Sequence, residues 1–132
     1  IQEVQMRNHS VIKPKVIKDT TGANWSLKVL ASGTTYYSDP IPFFYSDGYT
    51  SLLVLTNASI TITYEVSIDK SNWYIPYDVD GTALNAVVTA LTADRWIMFS
   101  PQIAGYIRFK VVCNSNATTT ITLIHKKTDV GI

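Results

Sequence analysis

From Ile60 to Asp69 the chain alternates. Ile60, Ile62, Tyr64, Val66 and Ile68 fall on one side, and Thr61, Thr63, Glu65, Ser67 and Asp69 on the other. Successive side chains of an extended strand point to opposite faces, so a run with this period makes a strand with one dry and one wet face. Tyr106–Cys113 repeats the pattern, with Ile107, Phe109, Val111 and Cys113 inward and Arg108 and Lys110 outward. So does Thr118–Lys126, with Ile121 and Leu123 inward and Thr120 and Thr122 outward. No stretch keeps a helical period for more than about two turns.

Other segments fill in the sheet. Ser51–Thr56 is apolar on both faces, which suits a central or doubly covered strand. Trp25–Leu30 reads as a strand with Trp25, Leu27 and Val29 sharing a face, and Thr34–Tyr37, Trp73–Tyr77 and Arg95–Phe99 are shorter candidates. Ala83–Leu91 mixes helix-tolerant Ala and Leu with strand-favouring Val87, Val88 and Thr89. Short turn signals separate the runs: Asn57–Ser59, Lys70–Asn72, Asp80–Gly81 and Asn114–Asn116. The expectation is an all-β antiparallel sandwich or jelly roll of about eight strands. Its two clearest hairpins are 51–56/60–68 and 106–113/118–126.

The ends differ from the middle. Residues 1–24 read as an N-terminal arm or edge strand, and 25–132 as the sandwich. Pro14 bars an ordinary central strand. Val4, Met6, Val11, Ile12, Val16 and Ile17 could bury themselves by pairing with another subunit's open edge. The first residue, Ile1, suggests a processed chain or one numbered from a mature end.

The 132 residues suit one domain, and 46% hydrophobic residues suffice for one core. A net charge of +1, with 16% charged residues, gives no electrostatic case for nucleic acid or an anionic membrane. No apolar run approaches a membrane span. One cysteine, Cys113, excludes an intrachain disulfide; on the apolar side of its strand it should behave as a buried hydrophobe. Four Asn-x-Ser/Thr sequons, at Asn8, Asn24, Asn57 and Asn116, are candidate glycan acceptors on an exported surface, or simply turn chemistry.

Catalytic equipment is not recognisable. The two histidines, His9 and His125, lie in no nucleophile motif, and there is no glycine-rich phosphate loop. Glu65, Asp69, Asp78 and Asp80 lie close along the chain, but nothing specifies an acid and a base. The expectation is a protein that is not an enzyme and needs no cofactor. Asp78-Val79-Asp80-Gly81 has the alternation that opens some calcium loops and could hold a weak Ca2+; it lacks the later ligands of an EF-hand, and Asp-Gly turns a chain unaided. Two aromatic clusters stand out: Tyr36, Tyr37, Phe43, Phe44, Tyr45 and Tyr49, and Trp73, Tyr74 and Tyr77. Such residues close sandwich ends, anchor protein interfaces or form stacking platforms for sugars.

Tyr64–Trp73 followed by Pro76, and Phe99–Val112 leading into a Thr-rich last strand, resemble small β-sandwich proteins of virions and cell surfaces, notably accessory structural proteins of tailed phages. Similar strand-turn-Trp units occur in jelly-roll carbohydrate-binding modules and in extracellular filament subunits. The resemblance covers roughly residues 38 to 124 and leaves 1 to 24 unmatched. It implies a structural subunit on a virion or in an extracellular filament, touching copies of itself or other coat proteins through arm and aromatic loops. The alternative is a carbohydrate-binding module with Trp73 and Tyr77 as platform.

Overall fold

The computed structural model describes residues 9–43, 46–101 and 105–129. These form ten β-strands and no helix: β1 (His9–Val16), β2 (Lys28–Leu30), β3 (Thr35–Tyr37), β4 (Ile41–Pro42), β5 (Ser46–Thr56), β6 (Ile60–Ser67), β7 (Ala86–Leu91), β8 (Arg95–Phe99), β9 (Tyr106–Cys113) and β10 (Ala117–Asp129). Two antiparallel five-stranded sheets face each other. The first runs β1-β10-β5-β8, with β2 also on β10; the second runs β3-β9-β6-β7, with β4 also on β9. The expected all-β antiparallel sandwich is therefore the observed fold.

Each alternating strand lays its apolar set into the space between the sheets. Ile60, Ile62, Tyr64, Ile107, Phe109 and Val111 of the second sheet meet Leu52, Val54, Ile121 and Leu123 of the first, all buried. Phe99 bridges Tyr64 and Phe109, with ring centroids 6.0 and 5.9 Å away. Cys113 is buried and unbridged. Trp25 is fully buried and its indole N–H donates to Thr119 Oγ1 at 2.8 Å, which satisfies the one polar atom it takes into the core.

Both expected hairpins are instead arches between sheets. β5 pairs with β10 and β8, whereas β6 pairs with β9 and β7. Likewise β9 belongs to the second sheet and β10 to the first. The alternation fixes which side of each strand is dry. It does not say whether the next strand lies beside it or across the core. The turns stack on each other: Thr118 N–H donates to Asn57 Oδ1 (2.9 Å), Ser59 N–H to Ser115 Oγ (3.1 Å) and Asn114 N–H to the Ser59 carbonyl (3.0 Å). Paired arches thus satisfy each other's backbone groups where a hairpin would satisfy its own.

Three smaller expectations also change. Trp25, Leu27 and Val29 do not share a face: Trp25 is buried, while Leu27 and Val29 are 73% and 74% exposed. Leu27 has φ 53°, a left-handed conformation that breaks the alternation, and only Lys28–Leu30 forms a strand. Ile68 lies outside the core because β6 ends at Ser67. Trp73–Tyr77 is not a strand; Tyr74 makes a single antiparallel bridge to Val66, and Tyr77 one to Ala83.

The described part of the arm lies on its own chain. β1 pairs with β10 from His9↔Asp129 to Val16↔Thr122, at the edge of the first sheet, the position that tolerates Pro14. Lys13-Pro14-Lys15 is also the composition that blunts a sheet edge against further strands. Beyond it the chain crosses to the second sheet. Asp19 bridges to Ser38, whose backbone N–H donates to the Phe109 carbonyl at 2.9 Å.

Candidate functional site

The clearest side-chain constellation lies on the outer face of the second sheet. Arg108 of β9 and Glu65 of β6 are directly opposed in register. The guanidinium Nε donates to Glu65 Oε1 at 2.8 Å, and Nη2 to the same oxygen at 2.6 Å. The plane of Arg108 then lies between two rings, its Cζ 4.3 Å from the Tyr37 centroid and 4.6 Å from that of Trp73. Tyr37 comes from β3 and Trp73 from the β6–β7 connection, so the two aromatic clusters of the sequence meet through one arginine. A guanidinium stacks on ring faces and holds a carboxylate in its own plane, and lysine can do only part of this. Lys70 of the same connection lies 5.2 Å from the Tyr106 ring centroid.

The β6–β7 connection that supplies Trp73 is built by two aspartates. Asp69 Oδ1 accepts from the Ser71 and Asn72 amides, each at 2.9 Å, and from Ser67 Oγ at 3.0 Å, while Oδ2 accepts from Asn72 Nδ2. These bonds to the charged form, led by the Asn72 amide, hold its carboxyl well below the usual carboxylate range. Asp78 Oδ1 accepts from the Asp80 and Thr82 amides, both at 2.9 Å, and closes the turn at Gly81, whose φ is +83°. Asp78 thus spends one oxygen on the backbone. Among the described residues no group of three or more His, Cys, Asp or Glu side chains converges as a metal site. Tyr74, Ile75, Tyr77 and Val79 project from this connection, with Tyr74 64% and Tyr77 59% exposed. Trp73 is half-buried beneath its arginine.

The other expected site residues are scattered. Val4, Met6, Phe44, Tyr45 and Asn8 lie outside the described residues. Val11 and Ile12 sit in β1 opposite Lys127 and Lys126. Val16 is half-buried, and Ile17 and Phe43 belong to the core, Phe43 with its ring 5.2 Å from that of His125. Asn24, Asn57 and Asn116 are exposed; the side-chain oxygens of Asn57 and Asn116 pin turns through the Thr118 and Ser32 amides.

Sequence reasoning missed two features. Asp19 is buried and accepts from Thr21 Oγ1 (2.6 Å), from the Thr21 and Ala23 amides, and from Lys28 Nζ (3.0 Å). The Thr21 hydroxyl and Lys28 keep its carboxyl far below the usual range. Asp-x-Thr is a short-range turn signal that could have marked it. The second is a cleft of about 270 Å³ between the sheet edges, lined by Lys15, Lys18, Asp39, Pro40, Pro42 and His125 among others. Its walls come from three separated stretches of the chain, 15–18, 39–42 and 123–125, so no local pattern announces it.

No family model matches the chain, and no curated protein is similar to it in sequence. Solved structures share its fold. The SPBc2 prophage-derived protein YomS is similar over 89% of this chain and 95% of its own, with a TM-score of 0.54 and 9% identity. The CsCBM6-3 module from Clostridium stercorarium, in complex with cellobiose, is similar over 93% and 95%, with a TM-score of 0.42 and 14% identity. A chain of infectious bursal disease virus, Gx strain, is similar over 92% of this chain and 32% of its own, with a TM-score of 0.45 and 15% identity.

Proposed function

We propose that this chain is a non-enzymatic structural subunit that associates with copies of itself, on a virion or in an extracellular filament. The observation that supports this most is the exposed apolar rim of the β6–β7 connection. Tyr74, Ile75, Tyr77 and Val79 stand in solvent on a connection that Asp69 and Asp78 make rigid. Rigid aromatic side chains with polar tips are the residues that anchor protein interfaces. The fold is shared with a prophage-derived protein, which is in keeping with this reading. The arm would join subunits by exchanging β1 whole, because that keeps the β1–β10 ladder and needs no addition to an edge guarded by Lys13, Pro14 and Lys15.

The test is light scattering after size exclusion, for the wild type and for Tyr74→Glu/Tyr77→Glu. An oligomer that the double variant weakens supports the reading. A strict monomer at high concentration sinks it. The carbohydrate-binding alternative has its own check. Trp73 offers its face to Arg108, which leaves Tyr77 as the open ring of the expected platform. Glycan-array binding that disappears in Tyr77→Ala, with no oligomer, would replace the structural role.

A further inference from the structure

Resting on that self-association reading, we infer that the outer face of the first sheet is a second contact surface, and that it packs against the same face of another copy. Within β5, Leu52–Leu55 is apolar on both sides. Leu52 and Val54 fill the core, while Leu53 and Leu55 point outward, where this chain leaves Leu55 exposed. The register extends that outward set across the sheet. Trp96 lies opposite Leu53, and Leu53 opposite Thr122; Met98 lies opposite Ser51, and Ser51 opposite Ile124; Leu55 lies opposite Thr120, and Thr118 opposite Val29. Leu27 joins them beside Thr120, whose Oγ1 accepts its amide at 2.8 Å. No charged residue occupies these rows. The outer face of the second sheet, with Glu65, Arg108 and Lys110, is the contrast.

Exposures of 56% for Trp96, 78% for Met98, 73% for Leu27 and 74% for Val29 leave much apolar area in water. With Leu55, the patch is on the order of 600 Å², at or above the largest patch of an ordinary monomer. The threonines and half-buried residues among them bring the footprint near the roughly 800 Å² per partner of a standard interface. Leu27 adds a separate argument, because a left-handed backbone at a non-glycine residue is strained, and here it presents a leucine to solvent.

Charge and shape select the occupant. Rows without charge offer nothing to nucleic acid or to a charged peptide, and would bury any partner's charge unpaired. A second copy of the same rows brings no charge. Thr118, Thr120 and Thr122 form a low column between the taller Leu53, Trp96 and Met98 on one side and Leu27 and Val29 on the other. About a two-fold axis, the tall column of one copy fits the low column of the other, as aligned sheets pack. β1 begins at His9, which pairs with Asp129 at the far end of β10 from Thr118.

Sedimentation equilibrium of the full chain from micromolar to millimolar concentration tests this, using Trp96→Glu and Met98→Glu, whose outward positions keep the fold; circular dichroism and melting verify that. The expected result is self-association weakened at least tenfold in both, with the Tyr74→Glu/Tyr77→Glu variant keeping this contact. Three outcomes overturn it: unchanged association in Trp96→Glu and Met98→Glu; a wild type that is monomeric throughout, which also defeats the proposed function; or a monomer that dimerises once residues 1–8 are removed, which makes that segment the occupant. Association lost only in the Tyr74/Tyr77 variant upholds the rim and rejects this face.

Discussion

Replacing Arg108 by alanine tests the stacked ion pair directly. The side chain sits between two rings at 4.3 and 4.6 Å and makes two bonds to Glu65 Oε1. The pair is partly shielded, with side-chain exposures of 25% for Arg108 and 15% for Glu65. A cation–π contact at a partly exposed site contributes about 0.5–1 kcal/mol, and there are two. A shielded, charge-assisted pair adds about 1 kcal/mol after screening. Loss of the aliphatic stem from the sheet face brings the expected total to about 2–3 kcal/mol. Arg108→Lys keeps charge and stem but loses the planar fork, so about half of that should be lost. Urea unfolding followed by tryptophan fluorescence measures both. A double-mutant cycle with Glu65→Ala should give a coupling of about 1 kcal/mol. An Arg108→Ala cost below about 0.5 kcal/mol, or no coupling, would refute the view that this stack fixes Trp73 and hence the rim.

Asp19 and Asp69 both have carboxyls depressed in the folded chain, so the unfolded chain binds more protons in acid. Their stabilisation is fully present above the ordinary carboxylate pKa of about 4 and is lost as pH falls below it, so melting temperature should drop steeply under pH 4, and less steeply in Asp19→Asn. Gly81→Ala should cost about 1–2 kcal/mol in a melt purely from φ +83°, since a Cβ there meets nothing within 4 Å, and Gly81→Asn should recover part of it. Trp25→Phe should cost about 2–3 kcal/mol, because it leaves a gap and takes from Thr119 its indole partner; an unchanged urea midpoint would contradict this. The thiol of Cys113, fully buried, should resist a thiol reagent in the native protein and react on unfolding.

The strand faces were legible because period-2 patterning is local. Ile60, Ile62, Tyr64 and Val66 are buried, as are Ile107, Phe109, Val111 and Cys113. Strand partners were not legible. Asn57–Ser59 and Asn114–Asn116 look like hairpin turns, and their amides do bond across a turn, but to each other's turn. Nor does alternation survive a left-handed residue, which is why Leu27 and Val29 emerged on the wrong side. In the candidate site, Trp73, Tyr74 and Tyr77 were visible as a cluster, whereas Arg108 was read only as an outward charge. Its place between Tyr37 and Trp73 depends on β3, β9 and the β6–β7 connection coming together, and those are distant in sequence.

One sequence reading joins fold to function. Ser51–Thr56 has the composition of a strand covered on both sides, and β5 is indeed central in its sheet. Yet within one chain only its Leu52/Val54 side is covered; Leu53 and Leu55 face outward beside Trp96. Apolar residues on a solvated face add nothing to folding that threonine would not, and β10 shows the alternative with Thr118, Thr120 and Thr122 at neighbouring positions. On the self-association proposed above, the use of a second dry face lies between molecules. The opposite sheet spends its outer face on Glu65, Arg108 and a rigid aromatic connection. On that reading the two faces offer different contacts, one through the uncharged rows around Leu53 and Trp96, the other through a rim of Tyr74 and Tyr77. Two unlike contacts on opposite sides of one sandwich are what a chain needs to build beyond a pair.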